Sequence, residues 1–380
     1  MSERLEAIRE VCRNIGSRID RDYIDECIRA KECPTKLVND LAVSGLLALG
    51  VPEEQGGDGS GIVEVSTMLD ELARHGLVAP RVITSQMART SITRHGTKEQ
   101  QAEFLKGSAE GEKFFSFAVT EAEAGTNTFR IRTAAKRDGE SYVINGEKAY
   151  ITGVHEADWM LLVARTSPYD PESKTSGISV FVVDPKSPGI SIVPMDIAPI
   201  MPDKSSMVYL DNVRVDAQNM IGREGQGLQA LFDCLNPERI LAGAMNVGLS
   251  DFVLAKSSAY ANDRAPFGRP IGSYQAVAHP LALAKARTDA ARLMTYEAAE
   301  LYDSGQNVEL QSEMVKYLGA EAIKVSAEAA MSTFGGSSVD FETGLVPLYL
   351  HARFQEIAPL NSNVVLSSIG TLGLGLPRSY

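Results

Sequence analysis

The stretch SYVINGEKAYIT, residues 141–152, decides how this chain is organised. Apolar residues alternate with polar ones on both sides of Asn145-Gly146, which is the pattern of strands that bury one face. Asn-Gly between two such runs signals a type I′ turn, so a tight hairpin is expected here, and Asp138-Gly139 signals another. The surrounding runs read the same way: FFSFAVT (114–120), WMLLVART (159–166), GISVFVVD (177–184), ISIVP (190–194) and SMVYLDNVRV (206–215). A small antiparallel β-domain is therefore expected in the middle of the chain.

On either side the period changes. VNDLAVSGLLALG (38–50), VSTMLDELARHG (65–76) and KEQQAEFLKG (98–107) carry apolar residues three and four apart, as amphipathic helices do, and Gly-rich EEQGGDGSG (53–61) separates two of them. Beyond Gly225 that period returns. In LALAKARTDAARLMTYEAAEL (281–301), Leu283, Ala286, Ala290 and Leu293 mark one apolar face. The small residues of these helices suit tight packing that continues across a subunit interface. The expected fold class is α+β, with a helical domain at 1–112, a β-domain (barrel or sandwich) at 113–222 and a helical bundle at 223–380. The order α, β, α is not the alternation of a Rossmann domain, and no GxGxxG follows a strand.

Composition narrows the function classes. With 49 acidic against 37 basic residues in 380, the formal charge is -12, which argues against nucleic acid or an anionic membrane surface as a partner. Cys12, Cys27, Cys33 and Cys234 show no CxxC pairing and no His at metal spacing, so reduced thiols without a metal are expected. The first residues show no apolar core of a targeting peptide, and no apolar run approaches the roughly 20 residues that span a bilayer. A cytoplasmic protein is expected.

Seven stretches then resemble, in order and spacing, the landmarks of acyl-CoA dehydrogenases: GVPEEQGGDG (50–59), FAVTEAEAGTNTFRIRT (117–133), GEKAYITG (146–153), LDNVRV (210–215), GREGQGL (222–228), NPERI (236–240) and DRAPFGRPIGSYQ (263–275). The resemblance covers nearly everything after residue 36. It implies a helical domain, a β-domain and a C-terminal four-helix bundle, as the periodicity does. It also implies FAD, an acyl-CoA substrate oxidised at Cα–Cβ with the β-hydride passing to flavin N5, an electron-transferring flavoprotein as acceptor, and a homotetramer built as a dimer of dimers. Residue by residue, it implies that Phe117, Val119 and Thr120 contact the flavin ring, and that Tyr150 and Thr152 match the aromatic-Ile-Thr segment packed on it. Arg264, Phe267 and Gln275 match the segment reaching a neighbouring subunit's FAD, and Gly335 and Gly336 match the paired glycines near its adenosine, although Ser332 stands where a Gln is usual. Thr126 matches a position, usually Ser, that touches the CoA arm, and Arg239 matches one near the pantetheine entrance in some members.

The base departs from the commoner pattern. Most members carry a catalytic Glu in a C-terminal loop, but HARFQEIAPLNSN (351–363) puts Pro359 there, Ala358 in place of a bulky Tyr, and Glu356 three residues early. A minority, including isovaleryl-CoA dehydrogenase-like enzymes, carries the base on a helix immediately before the Arg of the NPERI match, which is Glu238 here. Asn236-Pro237 also reads as an N-cap followed by proline at the first helical position, which would make Glu238 a partner of the helix dipole only. The loss at 359 favours the base. Pro359 has no N–H to offer a thioester carbonyl, so either Ala358 or Leu360 is the donor or the carbonyl is activated in another way, and the small Ala358 suggests a roomier acyl pocket. Two other readings stay open: an enoyl-thioester reductase or carrier-protein-linked dehydrogenase on this fold, and a catalytically silent flavin-binding scaffold.

Overall fold

A computed structural model describes residues 3–378. The N-terminal part is helical: α1 (Glu3–Gly16), α2 (Arg21–Ala30), α3 (Thr35–Val43), α4 (Ile62–Arg74), α5 (Pro80–His95), α6 (Lys98–Phe104) and α7 (Lys106–Ala109). Local signals start several of these. Asp20 accepts the Tyr23 N–H ahead of α2, and Thr97 and Gln100 form a reciprocal capping box at α6.

The middle part holds β1 (Phe115–Ala118), β2 (Ala134–Asp138), β3 (Ser141–Thr152), β4 (Trp159–Arg165), β5 (Ile178–Val183), β6 (Ile190–Pro194), β7 (Ser205–Asp216) and β8 (Met220–Ile221). They form one sheet in the order β6-β7-β3-β2-β4-β5-β8, with β1 on β4. Most pairs are antiparallel, but β1 runs parallel to β4 and β2 touches β4 in parallel at one position. Asp138-Gly139 makes the expected hairpin, joining β2 to β3. Asn145-Gly146 does not. β3 runs straight through it as one strand, because β7 pairs along both of its halves, from Ser141 to Thr152, and absorbs the dipeptide as a bulge. The Asn145 side chain accepts the Asn212 N–H on β7 at 2.8 Å instead of closing a turn.

Strands β4 and β5 are buried on both faces, which explains their unbroken apolar runs. Leu161, Val163, Val180 and Val182 face a core shared with helices, whereas Met160, Leu162, Phe181 and Val183 face a core made by the sheet alone.

The C-terminal part holds α8 (Gly227–Asp263), α9 (Gln275–Asp303), α10 (Glu309–Phe334), α11 (Leu345–Gln355) and α12 (Ser362–Leu374). Small residues do set its packing: a Cβ on Gly319 of α10 would stand 3.1 Å from the Gly243 Cα of α8. Its core is continuous with that of α1–α5, since Ile240, Leu249, Val315 and Leu348 cluster with Ile15, Leu37 and Leu69. The face of α9 marked by Leu283 and Leu293 is exposed, and the buried stripe is Ala284, Thr288, Ala291 and Thr295. Among the described residues, no helix is long and apolar enough to cross a membrane.

Candidate active site

Lys148 organises the β-domain side of the site. Its side chain, on β3, is fully buried, and its ammonium donates to the Val119 carbonyl at 3.0 Å and to Glu121 Oε1 at 2.9 Å. Glu121 in turn accepts the N–H groups of Arg132 at 2.6 Å and Thr133 at 3.0 Å. The Ala149 N–H takes the Thr120 carbonyl at 2.9 Å. Both carbonyls of the 119–120 backbone are thus occupied from behind, while the N–H groups of Val119 and Thr120 and the Thr120 hydroxyl have no partner among the described residues. A half-buried shelf results, with its carbonyls occupied and its donors left without partners. Burial pushes the Lys148 ammonium down to about 8 against the pull of Glu121, and it works against the Glu121 carboxylate too, but Lys148 outweighs it and holds Glu121 below the ordinary range.

Tyr150 and Thr152 follow on the same strand. Tyr150 sits at φ 61°, rare for a bulky residue, and its ring is turned outward and 58% exposed. The register of β3 on β7 slips between Lys148 and Ile151, which is what lets the strand turn that ring out. Thr152 Oγ1 lies 3.4 Å from Ser205 Oγ. Phe117 and Val119 pack on the same core as Leu231, Cys234 and Leu235 of α8, so the shelf and the helix turns just before Glu238 rest on common ground.

Glu238 lies inside α8, which begins at Gly227, with Pro237 accommodated within the helix. The N-cap reading of Asn236-Pro237 is thereby excluded. The Glu238 side chain makes no hydrogen bond or ion pair among the described residues, and burial pushes its carboxyl up to about 7, despite the nearby Arg239 and Lys316. Those cations are committed elsewhere. Arg239 is buried, 3.4 Å from Glu313 and donating to Asn236 Oδ1 at 3.0 Å, and Lys316 donates to the Gln355 carbonyl. Arg239 accordingly points into the helix packing and not toward an open entrance. The alternative carboxylate, Glu356, is held by Lys324 and Arg353; burial opposes its charged form, but those bonds outweigh it and lower its pKa.

In the C-terminal loop the Ala358 N–H is taken by the Phe354 carbonyl at 3.0 Å, whereas the Leu360 N–H has no partner among the described residues. Thr126 is exposed in the loop after the shelf. A cavity of about 680 Å³, whose lining does not include Thr126, is walled by Arg130, Arg132, Lys136, Arg137 and Arg165, with Tyr169. Glu123 and Glu224 offset part of this charge, pairing with Arg132 and Arg137, while Arg130 lies 4.7 Å over the Tyr169 ring. Arg264 and Phe267 lie on the exposed connection from α8 to α9 and Gln275 is the exposed first residue of α9, with Phe267 82% exposed. No atom lies within 4 Å of where a Cβ would stand on Gly335 or Gly336.

Sequence reading gave no role to Lys148, Glu313 or Lys316, and little could have found one. A lysine in a strand or a Glu-Lys pair three apart on a helix reads as a solvated surface, and only tertiary contact shows these to be buried.

Comparison with known proteins gives the class of the chain. Three family models cover the chain: acyl-CoA dehydrogenase N-terminal domain over residues 2–112, middle domain over 116–213 and C-terminal domain over 225–371. The chain belongs to the acyl-CoA dehydrogenase family, whose members are flavin-dependent oxidoreductases. Acyl-CoA dehydrogenase FadE12 of Mycobacterium tuberculosis is 34% identical over 100% of this chain and 98% of its own length. The 3-(aryl)acrylate reductase of Clostridium sporogenes is 30% identical over 93% of each. Among solved structures, the FAD complex of PigA superposes with a TM-score of 0.90 at 26% identity, covering 99% of this chain and 98% of that one.

Proposed function

We propose that this chain is an FAD-dependent acyl-CoA dehydrogenase of the subgroup whose base stands on a helix, with Glu238 removing the α-proton of the thioester. The observation that carries this is the pairing pattern of its carboxylates. Glu238 is raised and unpaired, Glu356 is spent on two cations, and Pro359 fills the usual position of the base. A carboxyl poised near 7 suits a base working at neutral pH.

The shelf fits a flavin. Its two N–H groups and the Thr120 hydroxyl have no partner among the described residues while its carbonyls are occupied, so it suits a ligand edge made of acceptors better than one made of donors. Phe117, Val119, Thr120, Tyr150 and Thr152 would hold the ring, and Arg264, Phe267, Gln275, Gly335 and Gly336 would reach the nucleotide end bound by a neighbouring subunit, as in a dimer of dimers. When bound, FAD supplies the two-electron acceptor for the β-hydrogen. Glu238 takes the α-proton on its carboxylate. The Leu360 N–H is the donor left to polarise the thioester carbonyl, because Pro359 has none and Ala358 has given its own to Phe354. The cationic cavity walled by Arg130, Arg132, Lys136, Arg137 and Arg165 suits the phosphates of CoA. Electrons would leave to an electron-transferring flavoprotein.

The relative that is an acrylate reductase supports a second reading, in which the same residues run the step in reverse and protonated Glu238 returns a proton to Cα. An anaerobic titration decides between them. Saturated straight, branched and cyclic acyl-CoAs should bleach the FAD-loaded protein under the first reading. If only the dithionite-reduced protein reacts, and only with enoyl-CoAs, the second replaces it. No response to either sinks both.

A further inference from the structure

Lys148 bonds to a particular peptide unit. Its ammonium donates to the Val119 carbonyl, and the N–H of that same unit is the Thr120 N–H, which points away from that carbonyl across a trans peptide and has no partner among the described residues. A cation on the oxygen of a peptide draws electron density from its nitrogen and strengthens the N–H as a donor, and a low-dielectric site magnifies the effect. Such a site is costly for the lysine, because a fully buried ammonium needs a counter-charge. Glu121 supplies it, held by two backbone N–H groups so that it cannot swing away.

We infer that Lys148, fixed by Glu121, is a positioning residue that polarises the Val119–Thr120 peptide from behind and so raises the affinity of the shelf for negative charge on a bound flavin. The inference rests on the flavin reading above but makes a separate claim. Packing alone would be satisfied by any side chain that fills the space, whereas polarisation requires the charge. Glu121 is the only titratable group acting on Lys148 among the described residues.

The test compares K148M and K148R with the wild type. K148M fills the volume without charge, and it should weaken FAD binding at least tenfold and move the midpoint potential of whatever flavin it binds to more negative values. K148R keeps a cation in reach of Val119 and should restore both. A merely structural role would lower the melting temperature of the apoprotein and leave the potential where it was, and a K148M protein with unchanged potential and affinity overturns the inference. If K148M does not fold, the Thr120 amide resonance of the apoprotein gives an independent reading. It should shift as Lys148 loses its proton near pH 8 in the wild type and stay still in K148R; a wild-type amide that does not move overturns the inference. Failure of the wild type to bind FAD would strike the flavin reading and leave the amide measurement to judge Lys148.

Discussion

The strand-borne shelf and the helix-borne Glu238 treat buried charge in opposite ways. At the shelf, Lys148 and Glu121 neutralise each other and spend their remaining bonds on backbone, leaving nothing free to move. Around Glu238, Arg239 is given to Glu313 and Lys316 to a carbonyl, so that this carboxyl, beside both, keeps no partner among the described residues. Complete pairing fixes geometry, whereas withheld pairing leaves a group able to change protonation state. One chain uses both within elements that pack on a common core.

The largest expected effect breaks this contrast at Glu238, the proposed base. Glu238→Gln should lower the turnover of acyl-CoA by about 10³-fold or more, while Glu356→Gln, losing only partly exposed ion pairs, should stay within about threefold. Equal losses would end the distinction between the two carboxylates. In the wild type, kcat/KM should fall about tenfold per pH unit below about 7, where Glu238 becomes protonated. Stability runs the other way. A carboxyl raised from 4.5 to about 7 on folding stabilises the fold below pH 4.5, and that contribution is lost as pH rises to about 7. E238Q should therefore gain on the wild type across that window, by on the order of 2 kcal/mol for a half-buried group.

Next in size is the pairing that frees Glu238. Arg239→Met leaves Glu313 buried without its cation and should cost about 3–5 kcal/mol in denaturant unfolding. The exposed pair Arg214–Asp138, 2.7 Å apart, gives the reference: Asp138→Asn should cost under about 1 kcal/mol. Arg264 sharpens the contrast from a third side, since it lies on exposed chain and contributes little to its own protomer. Arg264→Ala should leave apoprotein stability within about 0.5 kcal/mol and weaken FAD about tenfold, the loss of one charge-assisted contact. Unchanged FAD affinity would remove this segment from the cofactor site.

How much of this was legible depends on the distance over which each feature is decided. The α, β, α order follows from local period, and the strands from WMLLVA and SVFVV onward were readable because burial on both faces leaves an unbroken apolar run. The Glu238 candidate was legible as a residue type at a motif position. Its lack of a partner was not, because that depends on where Glu313 and Gln355 stand, 75 and 117 positions away. The exposed face of α9 was read as apolar correctly, but its periodicity could not tell a core from an uncovered surface. Asn145-Gly146 failed for the same reason, since turn chemistry is local and the pairing with β7 that overrides it joins residues more than sixty apart.

That failure supplies the smallest and most local test. Gly139 and Gly146 follow Asp and Asn in similar dipeptides, yet Gly139 turns a hairpin at φ 62° with open space around it, and Gly146 sits in a bulge at φ 148°. An alanine Cβ at 146 would stand 2.6 Å from the Thr133 Cα, a backbone atom anchored through the Thr133 N–H to Glu121. Gly139→Ala should cost about 1 kcal/mol, for the left-handed backbone alone. Gly146→Ala adds a clash that only a shift of Thr133 can relieve, and it should cost about 1 kcal/mol more. Because Thr133 helps to hold Glu121, and Glu121 holds Lys148, only G146A should also weaken FAD. If both variants lose stability equally and neither affects the flavin, the bulge is a mere irregularity of β3, and the link from it to the shelf is wrong.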